Sequence, residues 1–215
     1  MEKLPISTEH LDKIKKWLGA GAINIYGPPF AGKDTHGHEL SHLLNAPLLS
    51  SGQVFRDSKH LMTPEDIEIL DTGGLPPSDV FFELFTPFLS REEYADKPLI
   101  LSSVGRMPGE VQGVVDAANK SGHPIKAVFY LKLDDEKVYE RRAKSEELGD
   151  RGERPEDAEH RLATRLHFFE TETLVAINDY RQRGLLHEIN SDAEKSEVLR
   201  SILSRLFVLA SESDD

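Results

Sequence analysis

Residues 26–40 read YGPPFAGKDTHGHEL. Within them, Gly27-Pro-Pro-Phe-Ala-Gly32-Lys33 matches G-x-x-x-x-G-K, a pattern whose meaning depends on what flanks it. The preceding AINIYG (22–27) is a short apolar stretch ending in glycine, as a buried strand does. The following residues, from about Lys33 to Leu44, carry helical spacing. A strand entering and a helix leaving is the setting in which successive backbone N–H groups curl into an anion-holding nest at the positive end of a helix dipole. Gly32 allows a close backbone approach, and Lys33 supplies a point charge for terminal phosphates. Thr35 adds a hydroxyl one position late. Asp34 is the anomaly, a carboxylate beside the anchoring lysine in a loop built for anions.

Outward from this loop the chain alternates. PLLSS (47–51), PLILSS (98–103), IKAVFYLKL (125–133) and LLHEIN (185–190) read as further strands. Helical stretches are expected at about 8–19, 77–90, 109–121, 135–148, 155–183 and 193–210. In the first, Leu11, Ile14, Trp17 and Leu18 share one face, with Ser7 or Thr8 as cap. Pro155 suits the first turn of the longest helix. The tail SESDD is expected to fray. Such alternation implies an α/β fold with a parallel sheet covered by helices on both faces, a three-layer α/β/α domain.

Composition narrows the function. The 215 residues carry a formal net charge of −12, with 38% hydrophobic and 30% charged residues. That balance argues against a broad nucleic-acid surface, which needs clustered basic charge. With no cysteine, disulfides and thiolate zinc sites are excluded. No apolar run approaches the roughly 20 residues of a membrane span, and the N-terminal segment lacks a signal peptide's apolar centre. A cytoplasmic protein without membrane or nucleic-acid partners is expected. Positive charge is concentrated locally, in Arg141, Arg142, Lys144, Arg151, Arg154, Arg161 and Arg165. Taken alone, such a run reads as a solvated helix face. His36, His38 and His42 show no ligand spacing and read as surface or core polar groups.

The form Gly-x-Pro-x-x-Gly-Lys-x-Thr, with its displaced hydroxyl, resembles the adenylate kinase family of nucleoside monophosphate kinases. Four further stretches agree in order: LSSGQVFR (49–56), DTGGLPPSDVFFELF (71–85), LILSSVGRMPGEVQ (99–112) and RGERPEDAEHRLATR (151–165). The resemblance spans about residues 20–208 and implies a P-loop kinase with sheet order 2-3-1-4-5. It also implies a helical flap for the acceptor monophosphate at about 51–80, a short zinc-free lid at about 142–155, and an N-terminal helical extension at 1–19 on one domain covering 1–215, acting as a monomer.

The site residues follow from the same likeness. The donor ATP would lie on Pro29, Phe30, Ala31, Gly32, Lys33, Asp34 and Thr35. One of Arg141 and Arg142 would stack on its base, with counting along LDDEKVYERR favouring Arg141. Backbone near Ser191 to Ala193 would support that base. Ser51, Arg56, Gly74, Arg106 and Gln112 would hold the acceptor. Lys33, Arg106, Arg154 and Arg165 would be the catalytic cations, Arg154 and Arg165 closing over the transferring phosphoryl group and its acceptor. Arg151 is a candidate second lid contact, and Glu156 and Asp157 candidate partners of the lid arginines. Arg161 has no motif partner.

Three departures qualify the likeness. The family's strand-end aspartate, which holds water on Mg2+, is replaced by Ser102, so Asp34 is a candidate for the metal, directly or through water. Phe30 replaces a frequent glycine and either packs over the loop or narrows the space beside the phosphates. The base-reading glutamine four residues after the arginine is replaced by Glu110, with Gln112 two positions on. A longer loop would let Gln112 read adenine; otherwise Glu110 faces the base, and a guanine edge suits a carboxylate. The expected reaction is Mg2+-dependent transfer from ATP to a monophosphate, AMP first, with dAMP, GMP and pyrimidine nucleotides as alternatives. A nucleotide sensor without turnover and a kinase of a small metabolite are the rival readings.

Overall fold

A computed structural model of the chain describes residues 7–148 and 159–213, the side chains of 159 and 160 excepted. Five strands form one parallel sheet: β1 (Ala22–Tyr26), β2 (Leu48–Ser50), β3 (Leu99–Ser102), β4 (Ile125–Lys132) and β5 (Leu186–Asn190), in spatial order β2-β3-β1-β4-β5. This is the order expected from the resemblance.

Side chains alternate across β1, and the two faces build separate cores. Ile23 and Ile25 join α1 (Thr8–Leu18), α2 (Lys33–Leu44) and α10 (Lys195–Glu212) on one face. Ala22 and Tyr26 join α5 (Ser78–Leu89), α6 (Glu110–Lys120) and α9 (Leu174–Gln182) on the other. Each fully buried Leu, Ile or Phe contributes roughly 1.5–3 kcal/mol, so the two layers hold the sheet firmly. The helices after β1 and β3, neighbours in the sheet, pack on opposite faces. Where such connections diverge, a crevice opens at the carboxyl ends of the strands, the usual ligand position in open α/β sheets.

The N-terminal helix packs on the body of the protein. Ile14 and Leu18 are fully buried against α10, and Trp17 Nε1 donates to Ser213 Oγ at 3.0 Å. Ser7 is the cap, its hydroxyl accepting from the His10 N–H.

Between β2 and α5 lie α3 (Ser51–Asp57) and α4 (Pro64–Asp71), capped by Ser50 and Thr63. α7 (Asp135–Leu148) follows β4.

Two expectations need correction. The long helix expected over 155–183 is divided: α8 (Glu159–Phe168) gives way to a π turn at Phe169–Thr173 before α9. The extra residue per turn rotates α9 relative to α8, so that Phe169 is buried and Ile177 and Tyr180 still meet the core. Of the tail expected to fray, Ser211 and Glu212 instead continue α10, with Ser211 Oγ donating back to the Phe207 carbonyl, while residues 214 and 215 lie outside the described residues.

Candidate active site

The loop after β1 is a backbone cradle. Gly32 caps α2 in the left-handed region at φ 86°, and Phe30 adopts φ 62°. Such a φ is unfavourable for a bulky residue and persists only where surrounding contacts over-determine it. Here they do. Phe30 packs against the core cluster under α2 and α10, while its carbonyl accepts from Arg141 Nη1 at 3.1 Å. Its ring is therefore a support of the loop. Lys33 Nζ donates to the carbonyls of Gly27 (2.8 Å) and Pro28 (2.7 Å), lying across its own loop. Thr35 is half-buried and Asp34 exposed in the first turn of α2.

Arg141 faces this loop. Besides Phe30, it donates to the Ser191 carbonyl, and Ser191 Oγ donates to the Ala31 carbonyl at 2.7 Å. One guanidinium thus ties the glycine loop to the segment after β5. Arg142 turns instead to Glu146, at 2.7 Å. Beneath the loop, His36 is buried and bonded to Glu39 at 3.1 Å. Burial lowers its pKa, Glu39 works against that, and Arg141 and Lys195 add to the depression.

A cavity lies at the end of β3. Phe55, Leu75, Pro76 and Phe81 form an apolar wall; Ser51, Gly105, Arg106, Met107 and Glu110 complete it. Burial, followed by the nearby charge of Arg165, pushes the Arg106 pKa down to about 10. Tyr26 and Glu110 work in the opposite direction on Arg106, as nearby negative or polar groups do for a cation. Arg165 is brought in by α8. That helix is approached by the Gly73–Gly74 turn: a Cβ on Gly73 would stand 3.1 Å from the Arg161 carbonyl and 3.3 Å from Arg165 Cγ. Gly74 is buried between Ile69 and Phe168.

Not every expected residue reaches the cavity. Arg56 is exposed on α3, its guanidinium folded back beside Gly52. Gln112 is exposed and donates to Asp116 at 2.9 Å, away from the cavity that Glu110 lines. The physical reason is helical phase: α6 begins at Glu110 behind a Gly109 cap, without two extra loop residues, and position 112 lies about 200° further round the helix. Arg151, Arg154, Glu156 and Asp157, with the later part of the expected lid, lie outside the described residues.

No family model matches the chain. Curated relatives do. It is 25% identical over 190 residues to an adenylate kinase of Micrococcus luteus, covering 87% of this chain and 91% of the relative. It is 28% identical over 186 residues to one of Methylobacterium nodulans, with 84% and 93% covered. A third, from Leifsonia xyli subsp. xyli, is 29% identical over 186 residues, with 85% and 91% covered. The chain is thus similar to adenylate kinases along most of its length. The relatives are phosphotransferases, and the matches extend well beyond the glycine loop.

Against that family's pattern, Ser102 is buried at the end of β3, beside Ile25 and Ser50 in the sheet register. Among the described residues no group of three or more His, Asp or Glu side chains gathers to hold a metal. Magnesium needs no such cage, because it keeps several waters and takes phosphate oxygens. The oxygen-bearing side chains next to Lys33 in the first turn of α2 are those of Asp34 and Thr35.

Residues that the sequence reading passed over complete the site. Asn24 Nδ2 donates to the Val104 carbonyl at 2.8 Å, and the Tyr26 hydroxyl reaches the carbonyls of Val104 and Gly105. The signal was an asparagine in the middle of an apolar strand, a polar group that has to find partners once buried.

Proposed function

We propose that this chain, like the adenylate kinases it is similar to, transfers the γ-phosphoryl group of ATP to a nucleoside monophosphate, with AMP as first acceptor, giving two ADP. It would act as a cytoplasmic monomer with Mg2+ bound alongside the ATP. The observation that carries this reading is the approach of Arg165 to Arg106 beside a partly apolar crevice, at the same carboxyl end of the sheet as the Lys33 loop. Phosphoryl transfer asks for positioning and charge neutralisation more than covalent chemistry. The loop amides and Lys33 would hold the donor's phosphates, with Lys33 exchanging loop carbonyls for phosphate oxygens. Arg106 and Arg165, joined by Arg154, would neutralise the equatorial oxygens of the group in flight. Arg141 would underpin the donor base near Ser191. The bound ion would neutralise the donor's phosphates, held by Thr35 and by Asp34 directly or through water.

The segment 51–80 would be the acceptor flap, and residues about 142–155 the lid. Closure of both would exclude water and so suppress ATP hydrolysis. The apolar wall of Phe55, Leu75, Pro76 and Phe81 supports a planar base, and Glu110 is the polar side chain it would meet. A second reading, a nucleotide sensor without turnover, is favoured by Ser102 in place of the strand-end acid. A coupled assay for ADP formed from ATP and each of AMP, GMP, UMP and CMP, with and without Mg2+, separates the two. Binding of both nucleotides with no ADP would replace the kinase by the sensor.

A further inference from the structure

Arg106 sits on a short turn, 103–107, between β3 and α6, and the contacts holding that turn come from unexpected places. Glu110 is buried, and its carboxylate is shared three ways. Oε2 accepts from the Arg106 N–H at 2.7 Å and the Met107 N–H at 2.9 Å; Oε1 accepts from Ser78 Oγ at 2.8 Å. Ser78 is the first residue of α5, where the segment 51–80 rejoins the body of the protein. At the other end of that segment, Ser51 Oγ donates to the Ser103 carbonyl. Ser103 itself is held at φ 53°, a conformation that needs support in a non-glycine residue.

Both ends of the segment 51–80 are therefore bonded to the turn that presents Arg106. We propose that Ser78 and Glu110 are positioning residues: they couple the placement of the acceptor flap to the placement of the Arg106 guanidinium. Movement of α5 at Ser78 pulls on Oε1, and the same carboxylate holds the two amides that set the Arg106 backbone. Hydrogen bonds from backbone N–H groups to an ionised carboxylate are the strong kind, and a buried carboxylate tolerates little loss of them. The turn accordingly follows Glu110 rather than drifting alone. The functional half of this inference rests on the kinase reading; the structural half does not.

The test uses the full-length protein with Ser78→Ala, Glu110→Ala and Glu110→Gln. Glutamine can accept both backbone N–H groups through its oxygen and donate its amide to Ser78 Oγ, so it restores all three bonds. Amide hydrogen exchange reads the link without any nucleotide. Loss of the net bond to Ser78 or Glu110 predicts about tenfold faster exchange at Arg106 and Met107 in Ser78→Ala and Glu110→Ala. Amides of α2 stay unchanged, and Glu110→Gln stays near wild type. In ADP-forming assays the acceptor KM rises about tenfold in Glu110→Ala and a few-fold in Ser78→Ala, while the ATP KM moves less than about twofold. Unchanged exchange at Arg106 and Met107 in Ser78→Ala overturns the coupling. So does an ATP KM that rises as much as the acceptor KM, or amide exchange at Arg106 and Met107 as fast in Glu110→Gln as in Glu110→Ala. If wild type forms no ADP from any monophosphate, the kinase reading falls, and the exchange data alone decide the link.

Discussion

Arg165, carried on α8, stands close enough to Arg106, on the turn after β3, for its charge to add to burial in holding the Arg106 pKa at about 10. Like charges are brought together in a protein at a cost, which a phosphate bound between them would offset. Arg106→Ala and Arg165→Ala are each expected to lower kcat by about 10²–10³, the range for removing one preorganised donor. The double variant should lose less than the product of the two, because each single change also relieves repulsion on its neighbour. Steady-state rates of the three variants check this.

Lys33 Nζ donates to the carbonyls of Gly27 and Pro28 in its own loop. Lys33→Met is expected to raise the ATP KM and reduce kcat by about 10²–10³. It should also loosen the loop, costing about 1 kcal/mol of stability. Thermal melting without nucleotide, beside ATP titrations, reads both effects.

Gly73 has φ +90° and lies against α8. Gly73→Ala places a methyl group 3.1 Å from the Arg161 carbonyl and 3.3 Å from Arg165 Cγ. The left-handed conformation alone costs about 1–2 kcal/mol for an L-residue, and α8 has to shift with Arg165 upon it. A lower melting temperature with a raised acceptor KM is the expected result, measured against Gly122→Ala. Gly122 also has a positive φ, +81°, but nothing within 4 Å, so it isolates the backbone penalty.

Asp34 is exposed beside Lys33. A carboxylate near the donor phosphates without an ion between them would be repelled by about 4 kcal/mol per unit-charge pair at 4 Å and an effective dielectric of 20. Asp34→Asn is therefore expected to weaken the Mg2+ dependence of ATP binding, seen by titrating ATP with and without the ion. An unchanged dependence would remove Asp34 from the metal's surroundings.

His36 titrates below its usual value, chiefly because it is buried. The unfolded chain then binds more protons than the native one as pH falls through about 6.5. Stability contributed by the neutral imidazole is present above that pH and is lost progressively below it. His187, also lowered by burial and then by Arg205, acts in the same direction. His36→Gln should lose less melting temperature than wild type between pH 7.5 and 5.5.

The strands, the glycine loop and most helices were legible because their signals are local. AINIYG and IKAVFYLKL announce buried strands by composition, and Gly27, Gly32 and Lys33 announce a phosphate loop by spacing. The choice between Arg141 and Arg142 rested on counting; their side chains now turn to Phe30 and Ser191 in one case and to Glu146 in the other. The π turn at 169–173 left no trace of its own, because apolar residues at helical spacing tolerate one wide turn. Gln112 shows the same limit. Its motif distance from Arg106 did not reveal where α6 begins, and a two-residue change of start rotates a side chain to the far side.

By itself, the sequence determined the alternating α/β layers, the phosphate-holding loop and the basic run that includes Arg165. These depend on residue type and short-range spacing, which a linear chain displays openly. Tertiary structure alone decided that Ser51, Ser78 and Glu110 meet around Arg106, and that Gly73 rests against the helix of Arg165. Such meetings join residues tens of positions apart, and they follow from helix phase and close packing, which exist only once the chain has folded.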